Sequence, residues 1–298
     1  MQTNQIGFIG LGQMGGSMAA NLVKAGVSLR VFDQDKEALD LLETLGAIAD
    51  KSVEALGKQC DLVFLCLPSE VEVESCLSEA GGLAVKNNQV KTIIDTTTQS
   101  FVSTQAFAKL CDKREIAYCD CPVSGLPKRA IDGTLTLMFG GSQPVYAENL
   151  HWLEEMGSQI LYCGDVGSGQ MMKAINNLIY NINIAAFCEM LPLAVKFGLN
   201  PETLEALITG GSSRSFASEH FVPRILDGKF NDDFPMQAAY KDILNGQQMA
   251  SRLNVELPMM KAMTGVYESA LDAGFGGEPK SAMIKAYEEL IGVKVRRT

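Results

Sequence analysis

The sequence predicts an α/β domain built on a doubly wound sheet, followed by an all-helical C-terminal domain. Three observations carry this. Short apolar, β-branched runs alternate with helical stretches through the first half of the chain. After Gly169 the pattern switches to helices alone. Three glycines, Gly164, Gly167 and Gly169, punctuate the chain where the switch occurs.

In order, residues 5–9, 29–32, 61–67 and 92–95 read as strands with continuous apolar runs, as in a parallel sheet covered on both faces. Residues 14–24, 36–45, 71–78 and 102–113 read as the helices between them. Residues 117–121, 134–139 and 159–162 extend the sheet. Helical runs follow at 171–197, 201–208, 236–252, 259–273 and 280–290. The expected division is therefore 1–164 and 165–298, joined directly by a long helix.

A length of 298 residues fits two domains, at roughly 150 residues each. Hydrophobic residues make up 47% and charged residues 20%, a globular balance and not a disordered one. The net charge of −10 disfavours a nucleic-acid partner, which needs a basic excess to neutralise phosphates. The longest uncharged helical run, between Lys173 and Glu189, has 15 residues including four Asn, too short and too polar for a bilayer, so no membrane is expected. Met1–Asn4 is polar with no basic stretch, so no secretory signal is read. Eight cysteines at this length are not a disulfide scaffold. Cys119 and Cys121 read as two positions on one strand face; no second pair or nearby His completes a metal site. The expectation is a reduced, cytoplasmic protein.

Directly after the first strand stands Gly10-Leu11-Gly12-Gln13-Met14-Gly15, opening a helix. Alone, G-x-G-x-x-G is a weak signal; here the second strand ends in Asp33, 18 residues past Gly15, close to the ~20 of a dinucleotide fingerprint. Gly10 permits the tight turn, Gly12 the approach of a pyrophosphate, and Gly15 the packing of helix on strand. The helix N-terminus offers unpaired N–H groups to the phosphates. The first domain is thus read as a Rossmann-type NAD-binding domain. A carboxylate at Asp33 accepts from both ribose hydroxyls of NAD and repels a 2′-phosphate, and no Arg immediately follows it, so NAD is favoured over NADP.

A second stretch runs from Gly167 to Asn177 and opens a helix whose continuation is apolar nearly all round, so the helix is expected to be buried. Burial readily lowers the pKa of a lysine, and Lys173 and Asn177, four apart, share one face. Such a lysine can shuttle an alcohol proton while hydride moves to or from nicotinamide; the competing reading is a solvated polar stripe. His151 and His220 have no site-like context and read as surface or packing residues. Ser124-Gly125, in a loop after a strand, can present a hydroxyl and N–H groups to a carboxylate, or be a simple turn. Lys241-Asp242, in a helical stretch, reads most simply as a surface charge pair. The glycine-rich break from Gly210 to Phe216 carries Arg214, either an exposed helix-end arginine or a grip for a second anionic group.

Together these segments resemble the β-hydroxyacid dehydrogenase family, which includes 3-hydroxyisobutyrate dehydrogenase and tartronate semialdehyde reductase. The resemblance covers residues 7–15, 120–125, Gly133-Thr134-Leu135, 167–177 and Lys241-Asp242. It implies Lys173 as catalytic acid/base with Asn177 as its partner, and Ser124 and Gly125 as the grip on the substrate carboxylate. It also implies cofactor contacts at Leu67, Pro68, Thr98 and Lys241, and a homodimer or homotetramer assembled through the helical domain. The region of Arg214 is, by the same resemblance, beside the substrate cleft. Two departures stand out: Leu126 where a second glycine is usual, and Phe101 where a proline is usual. The leading expectation is NAD-dependent, reversible oxidation of a small 3-hydroxy acid to its semialdehyde. The alternative is reduction of tartronate semialdehyde or of a substrate with a second anion. Retention of Lys173 argues against imine-reducing relatives and against a non-catalytic interaction module.

Overall fold

The computed structural model describes residues 5–85, 88–231 and 234–297; the polar start, Met1–Asn4, lies outside them. The chain divides into two compact units, Met1–Lys173 and Ala174–Thr298. The division falls inside the long helix and not in the glycine cluster before it, because the first turn of that helix is bonded to the sheet.

The first unit runs β1 (Ile6–Ile9), α1 (Gln13–Lys24), β2 (Leu29–Phe32), α2 (Lys36–Thr44), β3 (Ile48–Ala49), α3 (Val53–Gly57), β4 (Leu62–Leu65), α4 (Glu70–Ser78), β5 (Thr92–Asp95) and α5 (Phe101–Asp112). It continues with β6 (Ala117–Asp120), β7 (Val123–Ser124), α6 (Pro127–Ile131), β8 (Leu135–Gly140), α7 (Gln143–Glu154) and β9 (Gly157–Gly164). Asp35, Ser52, Ser69 and Ser100 start α2 to α5 by accepting a first-turn N–H, which fixes where each loop becomes helix.

The sheet order is β3-β2-β1-β4-β5-β6-β8-β7, with β9 on β8. β1 to β6 are parallel, β8 runs antiparallel to β6 and β7, and β9 is parallel to β8. Alternate side chains feed two cores, one on each face. Phe8, Phe64 and Ile94 pack toward α1 and α7; Ile9, Leu65 and Ile93 pack toward α4 and α5. This is the expected doubly wound sheet.

The long helix α8 (Ser168–Lys196) spans the division, and the second unit adds α9 (Pro201–Gly210), α10 (Phe216–Leu226), α11 (Met236–Arg252), α12 (Pro258–Asp272), a 3₁₀ turn (Lys280–Met283) and α13 (Ile284–Ile291). No strand follows β9 among the described residues. Phe221, Met236, Tyr267 and Met283 pack with Ile184, Cys188 and Leu191 of α8 in one core.

Four helices escape the sequence reading, among them α3 and α6, which are only five residues each. α7 buries only Asn149 and Leu153, too few apolar positions to make a stripe. α10 contains Pro223, normally a breaker; a capping box between Ser215 and Ser218 starts it, and burial of Phe221, Val222, Ile225 and Leu226 holds it.

Two expectations about α8 are corrected. It is not enclosed on all sides: Ile175 is 49% and Ile179 56% exposed, and Lys173 is half-buried. At 29 residues, with an 18-residue window of mean hydropathy 1.6, it is also long and apolar enough to cross a membrane by length and composition. The uncharged run weighed in the sequence ends at Lys173 and Glu189, whereas the helix, as read at 171–197, continues through both charges. Ile184, Ala185, Phe187 and Leu191 are nonetheless core residues of the second unit.

Candidate active site

In an open parallel sheet, ligands bind beyond the carboxyl ends of the strands where the strand order reverses. Here that point lies between β1 and β4. The glycine loop follows β1, and Leu67-Pro68 follows β4.

The loop is shaped by what a Cβ would strike. Gly10 has φ +93°, and a Cβ there would lie 2.2 Å from the Cys66 carbonyl oxygen. At Gly15 a Cβ would lie 2.0 Å from the Gly10 oxygen. Gly12 is the opposite case: it is exposed, and its Cβ position meets nothing within 4 Å. It is the N-cap of α1 and supplies no side-chain acceptor to the first-turn amides. Beside Leu11, this leaves the first-turn amides of Gln13 and Met14 uncapped by any side chain at a positive helix end, which fits a pyrophosphate. Asp33 stands alongside. Its Oδ2 accepts from the Leu11 N–H at 2.5 Å and its Oδ1 from the Asp35 N–H at 2.8 Å. The carboxylate is thereby fixed at the tip of β2, with a further lone pair on each oxygen for a ribose hydroxyl.

The loops after β4 and β5 are joined: the Leu67 N–H donates to Thr97 Oγ1 at 3.0 Å. Pro68 and Thr98 are exposed beside this link.

Behind these loops lies a buried polar network. Asp95 Oδ1 accepts from the Thr97 N–H at 2.9 Å, and Oδ2 from Tyr118 Oη at 2.5 Å and Gln99 Nε2 at 3.1 Å. The register places Asp120 of β6 opposite Asp95. Asp120 reaches the start of α8: Oδ1 accepts from the Gly167 N–H at 2.5 Å and Oδ2 from the Gln170 N–H at 2.7 Å. A carboxylate there complements the positive helix end. Burial pushes both acids up to about 6, against the pull of these hydrogen bonds. Room for the junction comes from Gly169, whose Cβ would lie 2.2 Å from the Met138 oxygen, and Gly140, whose Cβ would lie 2.5 Å from Asp120 Oδ1. Gln170, 3% exposed, donates from Nε2 to the Thr97 carbonyl at 2.7 Å and accepts at Oε1 from the Gln99 N–H at 3.2 Å. Lys173 stands on the same helix one turn further on. The departure at Phe101 is accommodated, since its ring packs where a Cβ on Gly167 would be, 2.6 Å from Cε2.

Ser124 closes β7, and Gly125 follows with φ +146°, where a Cβ would meet Leu135 Cδ2 at 2.8 Å. Leu126 has φ −79°, ψ 164°, extended backbone that any residue adopts, so losing the usual glycine there strains nothing.

In the second unit, Asn177 Nδ2 donates to Asp242 Oδ2 at 2.8 Å. A carboxylate only accepts, so the amide is oriented and Oδ1 faces the other way as an acceptor. Asp242 therefore faces α8 and is not half of a plain surface pair with Lys241, which is exposed on α11. Arg214 is 64% exposed in its side chain and bonds Glu219 through Nε at 2.5 Å, so a grip on a substrate anion has to compete with that acid. The His151 ring lies against Trp152 at a tilt of 46°, and His220 stacks on Phe216. The sequence reading missed Gln170, Gln99 and Asp95, and gave Asp120 and Asp242 no roles. The available signal was a run of acids and amides at strand ends and at a glycine-bounded helix start.

Parallel sheet, glycine cradle and strand-end carboxylate define a dehydrogenase-type NAD(P)-binding domain. Residues 5–164 match the NAD binding domain of 6-phosphogluconate dehydrogenase, and residues 167–287 match the NAD-binding domain of NADP-dependent 3-hydroxyisobutyrate dehydrogenase. The chain is 37% identical to 2-(hydroxymethyl)glutarate dehydrogenase of Eubacterium barkeri over 98% of its own length and 97% of that protein. It is 31% identical to 2-hydroxy-3-oxopropionate reductase of Escherichia coli, covering 98% and 99%. The structure of 3-hydroxyisobutyrate dehydrogenase from Mycobacterium tuberculosis with L-serine superposes with a TM-score of 0.85 at 27% identity, covering 96% and 99%. The chain belongs to the β-hydroxyacid dehydrogenase family, and it is an oxidoreductase of the hydroxyacid dehydrogenase class.

Proposed function

We propose that this protein catalyses the reversible oxidation of a small 3-hydroxy acid to its semialdehyde, with NAD as hydride acceptor and Lys173 as acid/base. The observation that carries the reading is the pair of hydrogen bonds at the Gln170 amide, which donates to the Thr97 carbonyl and accepts from the Gln99 N–H. They hold the helix turn leading to Lys173 against the loop of Thr98, beside the strand ends where the cradle opens.

Leu11, Gln13 and Met14 with the three glycines would hold the pyrophosphate, and Asp33 the adenosine ribose. Leu67, Pro68, Thr98 and Lys241 would complete the cofactor contacts. The bound nicotinamide supplies the hydride acceptor. Ser124 Oγ and the Gly125 N–H bind the substrate carboxylate and so orient the hydroxyl carbon. Neutral Lys173 takes the hydroxyl proton as the C–H hydride departs, leaving an aldehyde; in reverse, the ammonium returns it. Asn177, whose Oδ1 accepts from Asn176 Nδ2 at 3.2 Å and keeps a second lone pair, steadies the ammonium or the substrate hydroxyl. NAD in preference to NADP rests on the fixed Asp33 carboxylate, which a 2′-phosphate would face at close range.

A second reading, a substrate with a further anionic group, is favoured by the 2-(hydroxymethyl)glutarate dehydrogenase relative, since glutarates are dicarboxylates; reduction of tartronate semialdehyde, a monocarboxylate, is favoured by the 2-hydroxy-3-oxopropionate reductase relative. Arg214 is the anchor for the further anionic group. A homodimer or homotetramer is supported by the apolar stripe Ile175, Ile179, Met190 and Leu193 left exposed on α8; light scattering of the purified protein tests it. Eight free cysteines accord with a reducing, cytoplasmic setting.

The test is a panel of 3-hydroxyisobutyrate, tartronate semialdehyde and 2-(hydroxymethyl)glutarate followed by NADH absorbance. Turnover of at least one, with NAD(H), supports the reading; none from correctly folded protein contradicts it.

A further inference from the structure

Most buried polar side chains in the first unit serve one neighbour. Gln170 serves two segments at once. Its backbone N–H is held by Asp120, so the residue is fixed to β6. Its side chain, 3% exposed, both donates to the Thr97 carbonyl and accepts from the Gln99 N–H. That satisfies two backbone groups of the β5–α5 loop which would otherwise be buried and unpaired. The loop is in turn held from behind by Asp95, through the Thr97 N–H and the Gln99 amide, and tied to the β4 loop through Thr97 Oγ1.

We infer that Gln170 is a positioning residue for hydride transfer: its amide sets the spacing between the loop that meets the nicotinamide and the helix turn that carries Lys173. The inference rests on the proposed roles of Lys173 and Thr98. Proton and hydride leave the same substrate in one step, so both acceptors must be placed together, and a misplacement of about 1 Å can cost about 10²-fold. A two-point amide resists such slippage in a way that apolar packing does not.

The test uses Gln170→Met, similar in volume but without either hydrogen bond, and Gln170→Glu, which keeps the acceptor and regains a donor when protonated. In cofactor-free Gln170→Met, amide hydrogen exchange should quicken at residues 97–100. NADH affinity, measured by fluorescence titration, should stay within about fivefold, because the glycine cradle and Asp33 are untouched. The kcat should fall by about tenfold or more with KM for the hydroxy acid nearly unchanged. The deuterium isotope effect on kcat should rise as chemistry becomes slower than release. Relative to wild type, Gln170→Glu should recover toward acid pH as its carboxyl gains a proton. A kcat that falls only with the fraction of protein able to bind NADH, at constant isotope effect, would reduce Gln170 to a structural role and overturn the inference. So would unchanged kcat in both variants. Lys173→Ala is run alongside: activity there removes the reading on which the inference rests, whereas an inactive Lys173→Ala with a normal Gln170→Met refutes the spacing role alone.

Discussion

The carboxylate of Asp120, at the end of β6, accepts the backbone N–H of Gln170 at 2.7 Å, 50 residues further along the chain. One buried acid thus closes the N-terminus of α8 and fixes where the helix leaves the sheet. Asp95, its neighbour in register on β5, does the same for the adjoining loop.

This pair gives stability a pH dependence. Burial holds both acids at about 6, above the ordinary 3.8 of an unfolded chain. Between those values the folded protein binds more protons than the unfolded one, so this contribution to stability falls as pH rises through the window. Asp120→Asn should therefore flatten the difference in melting temperature between pH 5 and pH 7, by about 2 °C or more. Thermal unfolding at the two pH values checks it; identical pH slopes for variant and wild type would mean that Asp120 titrates normally.

Asp242 orients Asn177, and the two should behave as one unit. Asp242→Ala and Asn177→Ala should each lower kcat/KM by about tenfold, and the double variant by much less than the product. A double-mutant cycle on kcat/KM measures this. Strict additivity would show that the amide does not depend on its acid.

Asp33 should favour NAD over NADP by at least about tenfold in kcat/KM, roughly 1.4 kcal/mol, and Asp33→Arg should narrow or reverse the ratio. Because Asp33 also holds the Leu11 N–H, the variant should lose some affinity for both cofactors. Equal use of the two by the unmodified enzyme is the contrary result.

Arg214 is paired with Glu219, so its role is read best from a comparison of substrates. If it grips a distal anion, Arg214→Ala raises KM for 2-(hydroxymethyl)glutarate by about tenfold or more and leaves 3-hydroxyisobutyrate nearly unaffected. Equal effects on both return Arg214 to the surface.

The sheet and the glycine cradle were legible because strand, turn, helix and acid are local in sequence and each obeys its own steric rule. α10 was not, since Pro223 argues against a helix and only tertiary burial overrules it. Lys173 and Asn177 stand out as candidates from their spacing of four on one helix. Their supports do not: Asp120 lies far from Gln170 in sequence, and Asp242 lies 65 residues from Asn177, so only the folded chain brings them together. The exposed face of α8 was misread because an apolar stripe looks the same whether it faces a core or remains open.

In the proposed reaction Lys173 moves the proton. Lys173→Ala should lower kcat by about 10²–10⁴-fold, while NADH binding measured by fluorescence stays close to wild type. A variant that binds NADH and turns over at more than about a tenth of the wild-type rate would contradict it.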